Sequence, residues 1–268
     1  MKFKNCALAA IAALSLLMLP AHAESTQSQP APTLTVEGSA FVLKLADGRE
    51  LRGAELAGAT VYLEMGMNEA TALKLAAIVA DAKYPDILHH DFQVMDGRGG
   101  WKPACEPDAN GGRWGFPVVL PEGHPGREYS ITITCSSGAV GKCATFGYRP
   151  WARAARGENP VELHAACVRM VRADYCGDGQ PYTKVGTTID TYDDYGIQTR
   201  GLANDASYMF EAGWTERGAV CVHHTRWAEL LSREQLLAQC PSLATIPVCD
   251  EASARALGAR MFNTSRRL

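Results

Sequence analysis

The stretch VELHAACVRMVRADYCGDG, residues 161–179, carries the clearest secondary-structure signal in the chain. Mostly apolar side chains recur there at helical spacing and share one face: His164, Cys167, Val168, Val171 and Tyr175. Asn159-Pro160 supplies an N-cap and a first turn, and Gly177 is suited to end the helix in a left-handed turn. The stretch therefore predicts one buried helix that ends at the letters ADYC, residues 173–176.

Most of the remaining chain has the pattern of short strands separated by Gly, Pro, Asn and Asp. These strands are LTVEGSAFVLKL before a turn at Asp47-Gly48, and the stretches 89–96, 115–122, 127–135, 142–151, 186–198, 206–214 and 218–227. Ser232 with Gln235 forms a capping box, and Asp250 precedes EASARALGARMF, which predicts two further helices. The expected fold class is α+β: a mostly β body of short antiparallel strands, one buried central helix and C-terminal helices, stabilised by disulfides.

Two segments admit two interpretations. Residues 72–81, ALKLAAIVAD, are rich in helix formers after a capping Asn68, yet their apolar residues also alternate as in a half-buried strand. Residues 50–59, ELRGAELAGA, repeat a unit of five residues, which is typical of a pentapeptide-repeat coil. One further strand and a turn would explain the same residues.

The N-terminus has the features of a secretory signal peptide, residues 1–23. Lys2 and Lys4 precede an apolar run, and Pro20 precedes small residues and a cleavage site after Ala23. The apolar run is shorter than the roughly 20 residues that a membrane span needs. Residues 24–33 are polar and contain proline, which predicts a disordered leader. The mature chain is therefore expected to be periplasmic or secreted, without a membrane span.

The charge of the mature chain excludes some classes of partner. Loss of Lys2 and Lys4 takes the formal net charge from −3 to −5. A mildly acidic chain without a basic tract is a poor match for nucleic acid or anionic lipid, which need clustered cations. No GxSxG, Walker or dinucleotide-binding motif occurs, so no cofactor is predicted. The expected partner is an envelope or extracellular ligand or protein.

Nine cysteines become eight once Cys6 leaves with the signal peptide, and an even number in an exported chain predicts a disulfide framework. The eight are Cys105, Cys135, Cys143, Cys167, Cys176, Cys221, Cys240 and Cys249. Short spacings favour the local pairs Cys135–Cys143 and Cys240–Cys249. Residues nine apart in a helix lie about 13 Å apart along its axis, so Cys167 and Cys176 are expected to bond to two separate strands.

Five aspartates lie within 21 residues from the end of the predicted helix: Asp174, Asp178, Asp190, Asp193 and Asp194. Carboxylates in this number could gather on a hard cation such as Ca²⁺, with Asp190, Asp193 and Asp194 as candidate ligands. Turn-forming aspartates beside glycines explain most of the same pattern. The candidate catalytic residues are Asp178 and Asp190 with His164 or His223.

The histidines form one helical pair and two adjacent pairs. His164 lies one turn from Cys167, but a Cys-His nucleophile needs a third, orienting group, and the even cysteine count favours a structural role. His89-His90 and His223-His224 lie in predicted strands, where neighbouring side chains point to opposite faces. Each adjacent pair could therefore supply a metal with one ligand at most, and ordinary surface and interior histidines are expected.

Several separated blocks resemble the bacterial ADYC domain, which is named for the letters at 173–176. They are WKPAC (101–105), GAVGKCATFGYRPW (138–151), HAACVRMVRADYCGDGQPYTKVGTTIDTYDDYGIQ (164–198) and FEAGWTERGAVCV (210–222). The resemblance covers roughly residues 101–227 and implies an exported bacterial protein of a family of unknown function, with no catalytic residues to carry over. It also implies a strand at 72–81 and a genuine repeat at 50–59.

The expected organisation is a signal peptide (1–23), a leader (24–33), an N-terminal β segment (34–100), an ADYC-type domain (101–230) and a C-terminal helical extension (231–268). The leading hypothesis is a non-catalytic envelope or extracellular binding or structural module. Five tryptophans could line a groove or fill the core: Trp101, Trp114, Trp151, Trp214 and Trp227. The alternative is a secreted hydrolase or metal-dependent enzyme that uses the Asp174–Asp194 carboxylates and a histidine.

Overall fold

A computed structural model describes residues 31–64, 70–121, 129–155, 157–246 and 249–267. The predicted signal peptide and the predicted leader up to residue 30 lie outside this part of the chain. Its strand pairs are antiparallel and form three sheets, with short helices and four disulfides. The predicted α+β class, with a mostly β body, is confirmed.

The first sheet contains β1 (Thr33–Glu37), β2 (Ala40–Lys44) and β3 (Glu50–Arg52), in that order. A 3-10 turn, Gly53–Leu56, follows β3 and buries Leu56 in the same apolar cluster as Leu51. The five-residue repeat at 50–59 therefore folds as a strand and a turn. That interpretation is confirmed, and a pentapeptide-repeat coil is not formed, because β3 pairs with β2 in an ordinary antiparallel ladder.

The second sheet has the order β4-β5-β6-β8-β9, with β7 paired to β6. The strands are β4 (Thr60–Glu64), β5 (Ala70–Ala80), β6 (Leu88–Met95), β7 (Trp101–Pro103), β8 (Gly115–Pro121) and β9 (Tyr129–Cys135). The strand interpretation of residues 72–81 is confirmed by β5. Leu75 and Phe92 are fully buried against Phe41 of the first sheet, so the two sheets share one core.

The third sheet has the order β10-β13-β11-β12 and lies between two helices. Its strands are β10 (Ile189–Asp193), β11 (Met209–Thr215), β12 (Gly218–Val222) and β13 (Met261–Ser265). The helix α2 (Pro160–Arg172) covers one face, where Trp214 and Met261 are buried. On the other face Phe262 packs with Ala254 of α5 (Glu251–Ala256). The predicted buried central helix is α2, and Asn159 caps it by accepting a 3.1 Å hydrogen bond from the Val161 N–H.

Residues 142–151, predicted as a strand, instead begin inside the helix α1 (Ala139–Thr145). Small residues let this helix lie directly on the end of β9: a Cβ atom at Gly141 would lie 2.2 Å from the Cys135 carbonyl oxygen. Close packing against the sheet and against α2 therefore overrides the weak strand pattern of these residues.

The C-terminal segment contains α3 (Arg233–Gln239) and α4 (Pro241–Ala244) before α5. The capping box at Ser232 forms as predicted, and Asp250, predicted to precede a helix, caps α5 by a second capping box with Ser253. The second predicted helix stops at Ala256, however, and β13 follows, with all five of its residues buried between β10 and β11. The expectation of a purely helical extension is wrong, because this strand completes the third sheet. Within the described ranges, no helix has the length and apolar character that a membrane span requires.

The eight cysteines form four disulfides, with Cα–Cα distances of 5.5–5.8 Å, which confirms the predicted framework. The pairs are Cys105–Cys135, Cys143–Cys167, Cys176–Cys240 and Cys221–Cys249. Both predicted local pairs are wrong. The chain enters α1 directly after β9, so Cys143 bonds to Cys167 on α2 and Cys135 bonds to Cys105. Cys167 and Cys176 do bond to separate elements, but their partners lie on α1 and at the end of α3 rather than on strands.

Disulfides of this density are typical of chains that fold in an oxidising compartment, so the framework indicates an exported protein.

Candidate functional site

The letters ADYC begin at the C-terminus of α2. The helix ends at Arg172, and Ala173 adopts a left-handed conformation with φ 53° and ψ 40°. Its N–H bonds to the carbonyl oxygens of Arg169 and Met170, which closes the last turn. The sequence assigned this left-handed ending to Gly177, and that assignment is wrong by one turn.

Gly177 instead allows two backbones to approach. Its φ is +72°, and a Cβ atom there would lie 1.7 Å from the carbonyl oxygen of Arg217 in the β11–β12 turn. The Ala219 N–H donates to the Tyr175 carbonyl oxygen at 2.9 Å beside this contact. The residues after α2 are therefore attached to the third sheet through their main chain.

The Asp174 side chain stabilises the turn that follows α2. Its side chain is fully buried, and its Oδ2 atom accepts hydrogen bonds from the Gly179 N–H at 2.9 Å and from the Arg169 guanidinium. Cys176 adds the disulfide to Cys240. Asp174 thus bonds to α2 and to the turn after it, and Cys176 bonds to the end of α3.

Tyr175 joins α2 to a buried ion pair. Its hydroxyl donates to Glu211 Oε1 at 3.0 Å and accepts from the Arg226 N–H at 2.8 Å. Arg226 donates to both oxygens of Glu211, Nε to Oε2 at 3.1 Å and Nη2 to Oε1 at 2.9 Å. Asn263 of β13 donates to Glu211 Oε2 at 2.8 Å. One set of hydrogen bonds thereby joins the segment after α2, strand β11, the segment after β12 and strand β13.

The pKa values of this buried set follow from these contacts. Burial acts to raise the pKa of Glu211, but the charge of Arg226 and hydrogen bonds from Arg226, Ser265 and Asn263 outweigh it and lower the pKa below its ordinary value. Burial, and then the charge of Glu211, raise the pKa of Tyr175 well above its ordinary value. Glu211 is therefore ionised and Tyr175 is neutral, so the tyrosine donates to the carboxylate.

The family model of the ADYC domain matches residues 53–228 of the chain, which include the ADYC segment and the buried ion pair. The chain belongs to the ADYC domain family. The match begins earlier than the resemblance seen in the sequence and includes β4 to β6. It ends before α3, so β13, which completes the third sheet of this ADYC protein, lies outside it. No curated protein and no solved structure matches the chain.

The predicted aspartate cluster does not gather in one place in this ADYC protein. Asp178 accepts from the Gln180 N–H in a turn, and Asp190 is buried and accepts from the N–H groups of Gly201 and Leu202. Asp193 accepts from the Tyr148 hydroxyl and from three N–H groups of residues 195–198.

Asp194 lies at the surface, where it forms ion pairs with Arg255 and Arg260. No group of three His, Cys, Asp or Glu side chains placed to hold a metal occurs among the described residues.

The candidate histidines bond to the main chain. His164 Nδ1 lies 2.7 Å from the Tyr148 carbonyl oxygen inside the core, and burial lowers the pKa of its ring. His223 is exposed, with Nδ1 3.0 Å from the Cys249 carbonyl oxygen. The structure brings neither histidine together with Asp178 or Asp190 in a shared set of hydrogen bonds.

A cleft of about 990 Å³ is lined by residues of the second sheet and by residues of α1, α2 and the loop 183–189. One wall comes from the end of β5, from β6 and from the loop before β8, and it carries Asp81, His89, Asp108 and Trp114. The facing wall comes from α1, the C-terminus of α2 and the loop 183–189. This space is hereafter called the cleft, and it is the candidate functional site.

His89 and Asp81 form a pair at the edge of the cleft. His89 Nε2 lies 2.7 Å from Asp81 Oδ2, and because a carboxylate only accepts, Nε2 carries the proton. Burial acts to raise the pKa of Asp81, but hydrogen bonds from His89 and from the N–H groups of Tyr84 and Lys83 hold it below its ordinary value. His89 points to this face of β6 and His90 to the core against Phe92, as adjacent residues of a strand must.

Asp108, Ser136 and Trp114 form the adjoining part of the wall. Asp108 accepts from the N–H groups of Asn110 and Gly112 at 2.9 and 3.0 Å. The Ser136 hydroxyl donates to the Trp114 carbonyl oxygen at 2.9 Å and approaches Asp108 Oδ2 at 3.3 Å. Hydrogen bonds within the loop and from Ser136 after β9 therefore hold the Trp114 main chain in place beside the cleft.

The five tryptophans divide between core and surface. Trp214 is buried and donates to Asn263, and Trp151 packs edge-on against Phe116. Trp114 lines the cleft, Trp227 lines a second cavity, and Trp101 is 38% exposed on the second sheet. Two of the predicted groove residues thus line cavities.

Sequence reasoning missed most residues of the cleft and the buried ion pair. Asp81, Asp108, Ser136 and Lys142 lie in separate segments without a shared motif. Glu211 did leave a signal, because a charged residue in the middle of the apolar strand MFEAGWT predicts a buried partner of opposite charge.

Proposed function

We propose that this chain is an exported, non-catalytic binding module of the bacterial envelope and that the cleft binds a neutral, polar ligand. The observation that carries the proposal is the cleft itself, which joins an indole to hydrogen-bonding side chains in a volume of about 990 Å³. Ligand sites are commonly concave, of 300–1,000 Å³, with aromatic walls and a few polar groups that orient the ligand.

The charges of the cleft support a ligand without net charge. Asp81 bonds to His89, Asp108 to main-chain N–H groups, and Arg172 to the Gly179 carbonyl oxygen. Arg226 belongs to the ion pair with Glu211. Lys184 pairs with Glu229, and the remaining charged residues of the lining, Asp81 and Asp108 against Lys142 and Arg172, are equal in number. The wall therefore offers hydrogen bonds and an aromatic surface rather than a field of one sign.

Binding is favoured over catalysis by the placement of the reactive groups. The eight cysteines described are oxidised, so they supply no thiol nucleophile. The Ser136 hydroxyl donates to a carbonyl oxygen instead of to His89, so these two residues do not form a nucleophile–base pair. The aspartates of the alternative hydrolase hypothesis are engaged in turns and ion pairs outside the cleft wall.

Export itself is proposed to use residues 1–23 as a signal peptide, with cleavage after Ala23 and delivery to the periplasm or the medium. N-terminal sequencing of the chain recovered from an exporting bacterial host tests this step. A mature chain that begins at Glu24 supports the proposal, and recovery of the chain with Met1 in the cytoplasm contradicts it.

The binding proposal is tested by thermal unfolding of the mature chain with a panel of neutral oligosaccharides and neutral peptides. A ligand that binds only the folded state raises the Tm by mass action, so at least one class is expected to do so. Mass spectrometry of the recovered ligand should find it unchanged. A cleaved ligand would favour the hydrolase alternative, and no shift with either class would contradict a neutral-ligand cleft.

A matched pair of variants locates the site. Trp114→Ala removes the indole from the cleft and is expected to abolish the Tm shift. Trp101→Ala removes an indole from the second sheet, outside the cleft wall, and is expected to leave the shift unchanged. Equal loss in both variants would place binding elsewhere.

A further inference from the structure

A second cavity of about 360 Å³, hereafter the outer pocket, lies beside the cleft. Trp227, Tyr208 and Arg266 line it together with residues 184–188. The same residues 184–188 also line the cleft. One short loop is therefore the wall between two cavities.

This loop is held at both ends by hydrogen bonds. The Thr183 hydroxyl oxygen accepts from Arg226 Nη1 at 3.2 Å, and the Thr187 hydroxyl oxygen accepts from Trp227 Nε1 at 2.9 Å. Val185, between these two attachments, is fully exposed. The loop is thus a fixed ridge with an uncovered apolar side chain, and a long ligand could cross it from one cavity to the other.

The outer pocket has the same chemical character as the cleft. Lys184 Nζ lies 3.9 Å from the centre of the Trp227 ring and pairs with Glu229. The Arg266 guanidinium lies 5.1 Å from the centre of the Tyr208 ring and pairs with Asp205 at 3.3 Å. Each cation is balanced by a carboxylate, so this pocket also combines aromatic rings with N–H donors and little net charge.

We infer that the two cavities are subsites for one linear, neutral glycan, which occupies the cleft beside Trp114, crosses Val185 and continues into the outer pocket beside Trp227. This inference rests on the proposed function and adds the class and the length of the ligand. A glycan fits because sugar rings pack their C–H faces on aromatic side chains while their hydroxyls take both donors and acceptors. A polyanion or a polycation would find no excess of charge of one sign around the cleft, and the two cations of the outer pocket each pair with a carboxylate.

The test is calorimetric titration of the mature chain with neutral oligosaccharide ladders, from disaccharide to hexasaccharide. The ladders are β-1,4-linked N-acetylglucosamine, β-1,4-linked glucose and α-1,4-linked glucose. For at least one ladder the affinity is expected to rise about tenfold or more with length, because the second subsite is filled at high effective concentration. Trp227→Ala is expected to lower the hexasaccharide affinity more than the disaccharide affinity and so to remove most of that rise.

Val185→Asp provides a second variant, in which an exposed residue is changed and the fold is preserved. It is expected to weaken hexasaccharide binding more than disaccharide binding, whereas Leu257→Asp, at an exposed site outside both of these cavities, changes neither. Binding that does not depend on length overturns the inference and leaves the proposed function standing. Binding of neutral peptides alone also overturns it, and failure of every ladder and peptide overturns both.

Discussion

Arg226 and Glu211 form an ion pair inside the protein, with Nη2 2.9 Å from Oε1 and side chains that are 1% and 0% exposed. Arg226 also donates to the carbonyl oxygens of Met170 and Val171 at the end of α2 and to Thr183 of the ridge. The ion pair therefore joins the helix that carries ADYC, the third sheet and the wall of the cleft. Substitution of either residue should lower the free energy of unfolding, because the remaining charge would be buried without its partner.

Arg226→Met should destabilise the protein by about 3–5 kcal/mol, because Glu211 would stay buried without its counter-charge. Arg49→Met is the matched control. Arg49 pairs with Asp47 at the surface, where both side chains are more than half exposed, and its loss should cost far less than the loss of Arg226. Urea unfolding of both variants measures the difference, and similar losses would show that the buried pair contributes no more than a surface pair.

Tyr175→Phe should cost about 1–3 kcal/mol, because Glu211 and the Arg226 N–H would each lose a buried hydrogen-bond partner. Tyr182→Phe removes the same atom from a hydroxyl that donates to Gln239 in an exposed setting. That control should lose less than about 1 kcal/mol. Chemical unfolding followed by far-UV circular dichroism compares the two, and a neutral Tyr175→Phe would contradict a structural role for this hydroxyl.

Gly177→Ala should prevent accumulation of folded protein, since the new Cβ atom would lie 1.7 Å from the Arg217 carbonyl oxygen. Gly179→Ala tests the conformational part alone. Gly179 also has a positive φ, of 89°, but nothing lies within 4 Å of its Cβ position, so about 1–2 kcal/mol is expected. The yield of oxidised, monodisperse protein and its Tm report both effects. A folded Gly177→Ala with an unchanged Tm would be inconsistent with this close approach.

The features that the sequence predicted well are those that depend on neighbours along the chain. The Asn159 cap, the apolar face of α2 and the capping box at Ser232 each involve residues within a few positions of one another. Residues 72–81 were ambiguous because their composition favours a helix. These residues form a strand because β5 pairs with both β4 and β6.

The features that the sequence could not predict depend on segments that meet only in the folded state. Cys143 and Cys135 are close in sequence, yet the turn into α1 directs Cys143 toward Cys167. The sequence of β13 has the pattern of a helix end, and its residues form a strand because they pair with β10 and β11 in the folded chain. The cleft has the same origin, since His89, Lys142 and the ridge come from three distant segments.

The disulfide pairing gives a direct chemical prediction. Proteolysis of unreduced protein followed by mass spectrometry should recover Cys176 linked to Cys240 and Cys221 linked to Cys249. A count of free thiols in denaturant should find none among the eight cysteines described. Recovery of a Cys240–Cys249 peptide would restore the local pairing that the sequence favoured and would contradict the position of β12 beside α5.

Stability should fall as the pH is lowered from about 6.5 to about 4, because burial lowers the pKa of His90 to about 4. Between its unfolded pKa near 6.5 and its folded pKa, the unfolded chain binds a proton that the folded chain does not. His90 therefore favours folding at neutral pH, and up to about 3 kcal/mol of that contribution is lost by pH 4. Burial also lowers the pKa values of His164 and His224, which adds to the slope.

His90→Phe isolates the contribution of this ring, which already stacks on Phe92 with ring centres 5.1 Å apart. The free energy of unfolding of the His90→Phe variant, measured in urea from pH 7 to pH 4, should depend less steeply on pH than that of the natural protein. If His90→Phe and the natural protein lose stability in parallel as the pH falls, the neutral buried state of His90 is not what sets the acid limit.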